Sequence, residues 1–258
     1  MLNTVTHGHD TDLPPLLIVP GLFGSARNWG VIAKHMAKTR RVVAVDMRNH
    51  GDSFWDDDHS YAAMAQDLAD VVEAEGNAQS QMDVMGHSMG GKAAMVLALT
   101  RPELVRRLIV ADIAPVAYTH THDGLINAMQ DLKIEDLTSR TEADRRFSER
   151  VRDPGTRAFL LQSLELREGP VRWKLNLDAL DAAMDSVVGW PESLTNGRYD
   201  GPTLFLYGGN SAYVKSDAHP VIHTMFPHAI LQEIEGAGHW LHAEKPREVE
   251  AAVETFLA

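Results

Sequence analysis

One stretch constrains this chain more than any other: Met85-Gly86-His87-Ser88-Met89-Gly90-Gly91. Met82, Val84 and Met85 lead into it as a short buried strand, and Ala93, Ala94, Met95, Leu97 and Ala98 lead out of it as a buried helix. That helix is expected to end before Pro102, because proline restricts the residue ahead of it. The three glycines remove side chains where a strand turns sharply into a helix, a turn that lifts Ser88 out of the sheet for nucleophilic attack. Gly-x-Ser-x-Gly alone arises by chance in roughly one chain in fifteen of this length. Its weight comes from the apolar strand before it and the alanine-rich helix after it.

A serine hydroxyl is a poor nucleophile, so this reading needs a base, an acid behind the base, and donors for an oxyanion. Further apolar runs at Leu16–Val19, 42–45, 108–111, 204–207 and 230–234 read as strands, and residues 2–6 as a short one. Between them Trp29, Ile32, Ala33 and Met36, and then Met64, Leu68, Val71 and Val72 behind Ser60 as cap, recur at helical spacing. Helices are also expected over 217–226, with Ser216-Asp217 as its cap, and through Val249, Ala252, Val253, Phe256 and Leu257. Apolar strands alternating with helices specify an α/β architecture, a mostly parallel sheet flanked by helices on both faces. Loops at the carboxyl ends of such strands share one edge. Ser88 and Asp112 therefore meet there.

The alternation stops between Pro115 and Asn196. Leu125, Met129 and Leu132, then Phe159, Leu160, Leu164 and Leu166, then Leu177, Leu180, Met184 and Val187 read as amphipathic helices with no strand between them. An insertion leaving from the Asp112 edge is expected to be a helical cap over residues 115–195, with residues 1–114 and 196–258 forming the core.

Thirteen histidines compete to be the base. His239 is favoured because it follows the last strand, lies in the loop Gly236-Ala237-Gly238-His239-Trp240, and is re-anchored by a final helix. His87 is expected to pack, since it points away from where Ser88 must point. His50 follows the 42–45 strand, where no base is expected. His120, His122 and Asp123 have a spacing a metal could use, but an exposed hinge of the cap fits them better, and no metal is expected. His242 is expected to cap or solvate the last helix. For the oxyanion, Met89 offers an N–H at a helix N-terminus. The loop after Val19 offers that of Leu22, with Phe23 beside it as pocket wall.

Val19-Pro20-Gly21-Leu22-Phe23-Gly24-Ser25, Asp46-Met47-Arg48-Asn49-His50-Gly51, Gly86-His87-Ser88-Met89-Gly90-Gly91-Lys92, Asp112-Ile113-Ala114-Pro115 and the His239 loop together resemble the α/β-hydrolase superfamily. More narrowly they resemble its small YbfF-type esterases, along nearly all of the chain. The resemblance implies the α/β-hydrolase fold, an esterase with a compact inserted helical cap, and no cofactor. Many relatives have histidine in place of Pro20, where it supports the oxyanion loop, so altered loop rigidity is expected here. In most of the superfamily the acid follows the strand after the cap, in a Gly-x-x-Asp arrangement. This chain has Gly208-Gly209-Asn210-Ser211 there, with no carboxylate. Asp112, at the alternative seat known in the superfamily, is the expected acid.

Composition narrows the partners. A formal charge of −12 opposes nucleic-acid binding and attraction to an anionic membrane surface. No cysteine is present, which removes thiol catalysis and disulfides. Residues 1–10 lack the pattern of a secretory signal and no apolar run has membrane-spanning length, so a cytoplasmic protein without membrane insertion is expected. The reading is a serine carboxylesterase for short- to medium-chain acyl esters of small molecules, with Phe23, Trp240 and cap side chains lining an acyl pocket. A serine in the turn opposes haloalkane dehalogenase or epoxide hydrolase chemistry. An acyl-CoA thioesterase, a carbon–carbon bond hydrolase and a perhydrolase use the same triad. A hydrolase-fold ligand receptor is the non-enzyme alternative.

Overall fold

The computed structural model describes residues 1–76, 81–119, 122–167 and 169–258. Its strands are β1 (Asn3–His7), β2 (Leu16–Val19), β3 (Val42–Asp46), β4 (Met82–His87), β5 (Val105–Ala111), β6 (Leu164–Glu165), β7 (Arg172–Trp173), β8 (Thr203–Gly208) and β9 (Ala229–Ile234). The first helices are α1 (Gly30–Met36), α2 (Tyr61–Glu75), α3 (Met89–Thr100), α4 (Asp123–Gln130), α5 (Arg140–Phe147) and α6 (Pro154–Leu160). After them come α7 (Leu177–Ala182), α8 (Met184–Val188), α9 (His219–Met225), α10 (Leu241–Glu244) and α11 (Pro246–Leu257).

Seven strands form one sheet in the order β1-β3-β2-β4-β5-β8-β9, parallel throughout except for antiparallel β1. Successive side chains of a strand face opposite ways, and the central strands use this to build two cores. Leu17, Val19, Val43, Val45, Val84, Leu108, Val110 and Phe205 pack with α2, α3 and α9. Leu16, Ile18, Val42, Ala44, Met85, Ile109, Leu204 and Leu206 pack with α1 and α11. Ser60 caps α2 as its sequence suggests, accepting from Ala63 N–H at 3.2 Å.

Between β5 and β8 the chain differs from the all-helical expectation. Residues Leu164 and Leu166 do not extend α6. Leu164 pairs with Trp173 in the β6–β7 hairpin. Gly169, left-handed at φ 91°, and Pro170 together break helical geometry and allow the chain to reverse. Leu164 and Trp173 are both buried, so the apolar spacing read as one helical face is the inward face of a hairpin. Helix α9 also starts later than expected. Its N-cap is Ala218, with no side-chain capping bond, and Asp217 lies exposed in the preceding turn.

This region contacts the carboxyl edge of the sheet at several points. Ser163 Oγ donates to Phe23 O at 3.0 Å, Gly51 N–H to Lys174 O at 2.8 Å, and Tyr61 Oη to Val187 O at 2.7 Å. Lys92, fully buried in α3, donates to the carbonyls of Val188 and Gly189.

Two glycines of the β4–α3 turn are required by close approach. A Cβ on Gly86 would lie 2.3 Å from Gly90 O, and one on Gly90 would lie 2.3 Å from Pro20 O. Both neighbours are backbone and cannot swing aside. Gly90→Ala should therefore lower stability by about 1–3 kcal/mol, the usual penalty for forcing atoms into a packed site. Urea denaturation measures this, and a variant as stable as wild type would show that the β2 loop does not press on α3.

Candidate active site

The sheet's hydrogen-bond ladder continues one residue beyond two strands and fixes the residues that follow. Ser88 N–H donates to Ala111 O at 3.0 Å, and Asp112 N–H to Leu206 O at 2.7 Å. Ser88 sits between β4 and α3 with φ 53°, and Asp112 follows β5 with φ 50°. Both are left-handed, a conformation that costs a non-glycine residue roughly 1–3 kcal/mol and gathers where function constrains the backbone.

The three side chains expected to form the triad come together. His239 Nε2 lies 3.0 Å from Ser88 Oγ, and His239 Nδ1 lies 2.7 Å from Asp112 Oδ2. A carboxylate only accepts, so Nδ1 carries the ring proton and Nε2 is free to accept from the serine. Asp112 has no exposed surface, and its charge is held by three donors. Gly208 N–H reaches Oδ1 at 2.9 Å, while Ser211 Oγ and His239 Nδ1 reach Oδ2. Ser211 stands where most of the superfamily places its acid. Here it is a hydroxyl donor to that acid.

His239 is held on several sides. Its ring stacks on Tyr213 with centroids 4.0 Å apart, and its carbonyl accepts from His87 Nε2 at 2.8 Å. Glu244 takes Gly238 N–H at 2.7 Å and pins the loop just ahead of it. His87 packs as its position in the turn suggests, and its hydrogen bond to the base's own backbone is an addition. His242 does not solvate the last helix. It is buried, stacked on Trp29 at 4.1 Å and close to His87 at 4.9 Å.

Leu22 and Met89 border the same cavity as Ser88. A Cβ on Gly21 would lie 2.9 Å from His87 Nδ1 and 3.0 Å from Ser88 Cβ, so glycine lets the β2 loop pass closely over the serine without displacing either. In that loop Phe23 N–H is committed to His50 Nε2 at 3.0 Å, and Gly24 N–H to Gly21 O. His50 Nδ1 faces Arg48 O at 2.9 Å, which fixes the tautomer: Nδ1 donates and Nε2 accepts. Sequence reasoning missed His50. It supports the loop after β2 through its bond to Phe23 N–H, and the signal was its place on the same sheet edge. Phe23 and Trp240 both line a cavity beside Ser88, with Phe159 5.4 Å from Trp240. His122 is half-buried between cavities and edge-on to Phe23 at 6.3 Å, so it is not the exposed hinge expected. His120 lies outside the described residues. Among the described residues no three His, Cys, Asp or Glu side chains gather to hold a metal ion, and no helix is long and apolar enough to cross a membrane.

With this geometry in view, comparison with known proteins places the chain. The model of the alpha/beta hydrolase fold family matches residues 14–246. The chain belongs to that family. It is 43% identical to the sn-1-specific diacylglycerol lipase ABHD11 of Mus musculus, over 96% of this chain and 82% of that protein. It is 38% identical to esterase YbfF of Escherichia coli, over 94% and 92%. Among solved structures, a marine microorganism esterase superposes with a TM-score of 0.93 at 35% identity, covering 99% of this chain and 98% of the other.

Burial keeps four rings near the site neutral. It pushes His50 down to about 4, His59 and His242 down to about 3, and His87 well below the ordinary value. In the unfolded chain these rings titrate near ~6.5. On acidification the unfolded state therefore binds protons first. Stability present above about pH 6.5 falls as pH drops toward about 4, each ring adding about 1.4 kcal/mol per pH unit to the slope. His242→Phe keeps a ring against Trp29 and removes one such proton. Its urea midpoint should fall less than that of wild type between about pH 7 and pH 5. An equal fall would contradict a buried, neutral His242.

Proposed function

We propose that this ester-hydrolysing α/β hydrolase is a serine carboxylesterase working through an acyl-enzyme on Ser88, with residues 115–195 as a cap over the site. The unbroken chain from Ser88 Oγ through His239 to Asp112, at 3.0 and 2.7 Å, carries this reading. The esterase and lipase names of its relatives favour an oxygen ester over the other bonds the same triad cleaves. For the cap, the support is Ser163 on the carbonyl of Phe23 and Phe159 against Trp240.

The steps follow from the atoms. His239 Nε2 takes the Ser88 proton as Oγ attacks the ester carbonyl, and Asp112 holds the resulting imidazolium by its Nδ1–H. The carbonyl oxygen, now an anion, is stabilised by the N–H groups of Leu22 and Met89. The Met89 group also sits at the positive end of the α3 dipole. His239 then returns the proton to the departing alcohol oxygen. Water attacks the acyl-enzyme in the second half, with His239 again taking and returning one proton. The substrate is a small-molecule ester.

Ser88→Ala should cut turnover of p-nitrophenyl acetate by on the order of a million-fold while the protein stays folded. A variant keeping a few per cent of the rate would remove Ser88 from the mechanism. Asp112→Asn should cost roughly ten-thousand-fold, because the amide favours the wrong imidazole tautomer. Asp217, exposed and capping nothing, is the control. Asp217→Asn should leave both rate and stability within error, and a dead Asp217 variant beside an active Asp112 variant would reverse the assignment.

A further inference from the structure

Two cavities meet at Ser88, and different catalytic groups border each. The front one, about 50 Å³, has His239 in its wall with Trp240, Phe159, Leu160 and Leu125. The rear one, about 20 Å³, has Met89 in its wall with Tyr61, Lys92, Ile113 and Val187. Ser88 and Leu22 border both; His239 borders the front and Met89 the rear.

Resting on Ser88 as nucleophile, we infer that the rear cavity takes the acyl group and the front cavity the alcohol, and that Tyr61 closes the rear arm and keeps the acyl chain short. The carbonyl carbon under attack carries four groups: Ser88 Oγ, the oxyanion, the departing oxygen and the acyl carbon. The departing oxygen must reach His239 Nε2 for its proton, so the alcohol lies on the His239 side. The oxyanion lies between the Leu22 and Met89 N–H groups. What remains for the acyl carbon is the side walled by Met89, in the cavity that His239 does not border. This reverses the sequence reading in which Phe23 and Trp240 faced the acyl chain.

The size of the rear arm then sets a limit. A volume of about 20 Å³ holds one or two water-sized groups, which suits acetyl or propionyl. Behind its end lies a groove of about 660 Å³ whose walls include Ala65, Ala69, Val96, Gly189, Trp190 and the other side of Tyr61. Tyr61 thus separates a small arm from a large one. Its ring is fixed by the bond from Oη to Val187 O at 2.7 Å. The adjoining backbone of the partition is fixed by Lys92 Nζ, which donates to Val188 O at 2.9 Å and to Gly189 O. An acyl chain of medium length has space to occupy only if this partition is removed.

Two ester series on the whole protein test the inference. With p-nitrophenol fixed as leaving group, kcat/KM of wild type should fall at least about tenfold from acetate to octanoate. With acetyl fixed, it should hold from ethyl to butyl acetate. Tyr61→Ala should raise the octanoate-to-acetate ratio at least about tenfold and leave the butyl-to-ethyl ratio within about twofold. Val188→Ala widens the same partition at a half-exposed position, so it covers the case in which Tyr61→Ala does not fold, and it should shift the acyl ratio in the same direction. Wild type that hydrolyses octanoate as fast as acetate, or variants that move the alcohol series instead, would overturn the assignment of the arms. A protein that turns over none of these esters, or whose Ser88→Ala variant keeps its rate, would instead count against the nucleophile, and the arms would fall with it.

Discussion

The backbone of Ser88, held at φ 53°, is the constraint on which the site depends. A left-handed serine between a strand and a helix needs glycine where its neighbours crowd together, and Gly86 and Gly90 meet backbone atoms at distances no Cβ could occupy. The strain is shared across the sheet edge. Phe23, Asn49, Ser88 and Asp112 all have positive φ, and each stands just beyond one of four adjacent strands, β2, β3, β4 and β5. At roughly 1–3 kcal/mol apiece, such residues persist only where surrounding bonds over-determine them. Here those bonds are the ladder from Ser88 and Asp112 to the next strands, His50 on Phe23 N–H, and Asn176 on Asn49 O. The rigid part of the molecule and the reactive part are therefore the same loops.

Electrostatics completes what the backbone begins. Three donors converge on the buried Asp112 carboxylate and orient it without its facing water. Around it stand imidazoles that burial keeps neutral, His87 and His242 beside His239 and His50 beneath the loop after β2. A charge on any of these would oppose the positive charge that the proposed mechanism places on His239. Among the described residues, Asp112 is the carboxylate bonded to the His239 ring.

Much of this was legible in the sequence. Apolar runs marked the central strands because both faces of a parallel sheet are buried, and the turn around Ser88 announced itself by three glycines. Asp112 was readable because Ser211 left the commoner acid position without a carboxylate. What escaped depends on contacts distant in sequence. His50 acts through a bond to a loop 27 residues away, and His242 is buried by stacking on Trp29. Neither relation leaves a local pattern. The β6–β7 hairpin was missed because Leu164 and Leu166 fit a helical period as well as an inward strand face, and only the pairing with Trp173 separates them. Asp217 looked like a cap by composition, yet the helix begins after it.

In the proposed mechanism Ser88, activated through His239 and Asp112, is the group that takes the acyl chain. Reaction with a fluorophosphonate followed by peptide mass mapping tests it, because an activated serine attacks the phosphorus, expels fluoride and keeps the phosphonyl group on its oxygen. One equivalent of adduct should form on Ser88, and far more slowly in Asp112→Asn, which keeps the serine but loses the carboxylate behind His239. An adduct on a different residue, or a folded protein that takes up none, would contradict it.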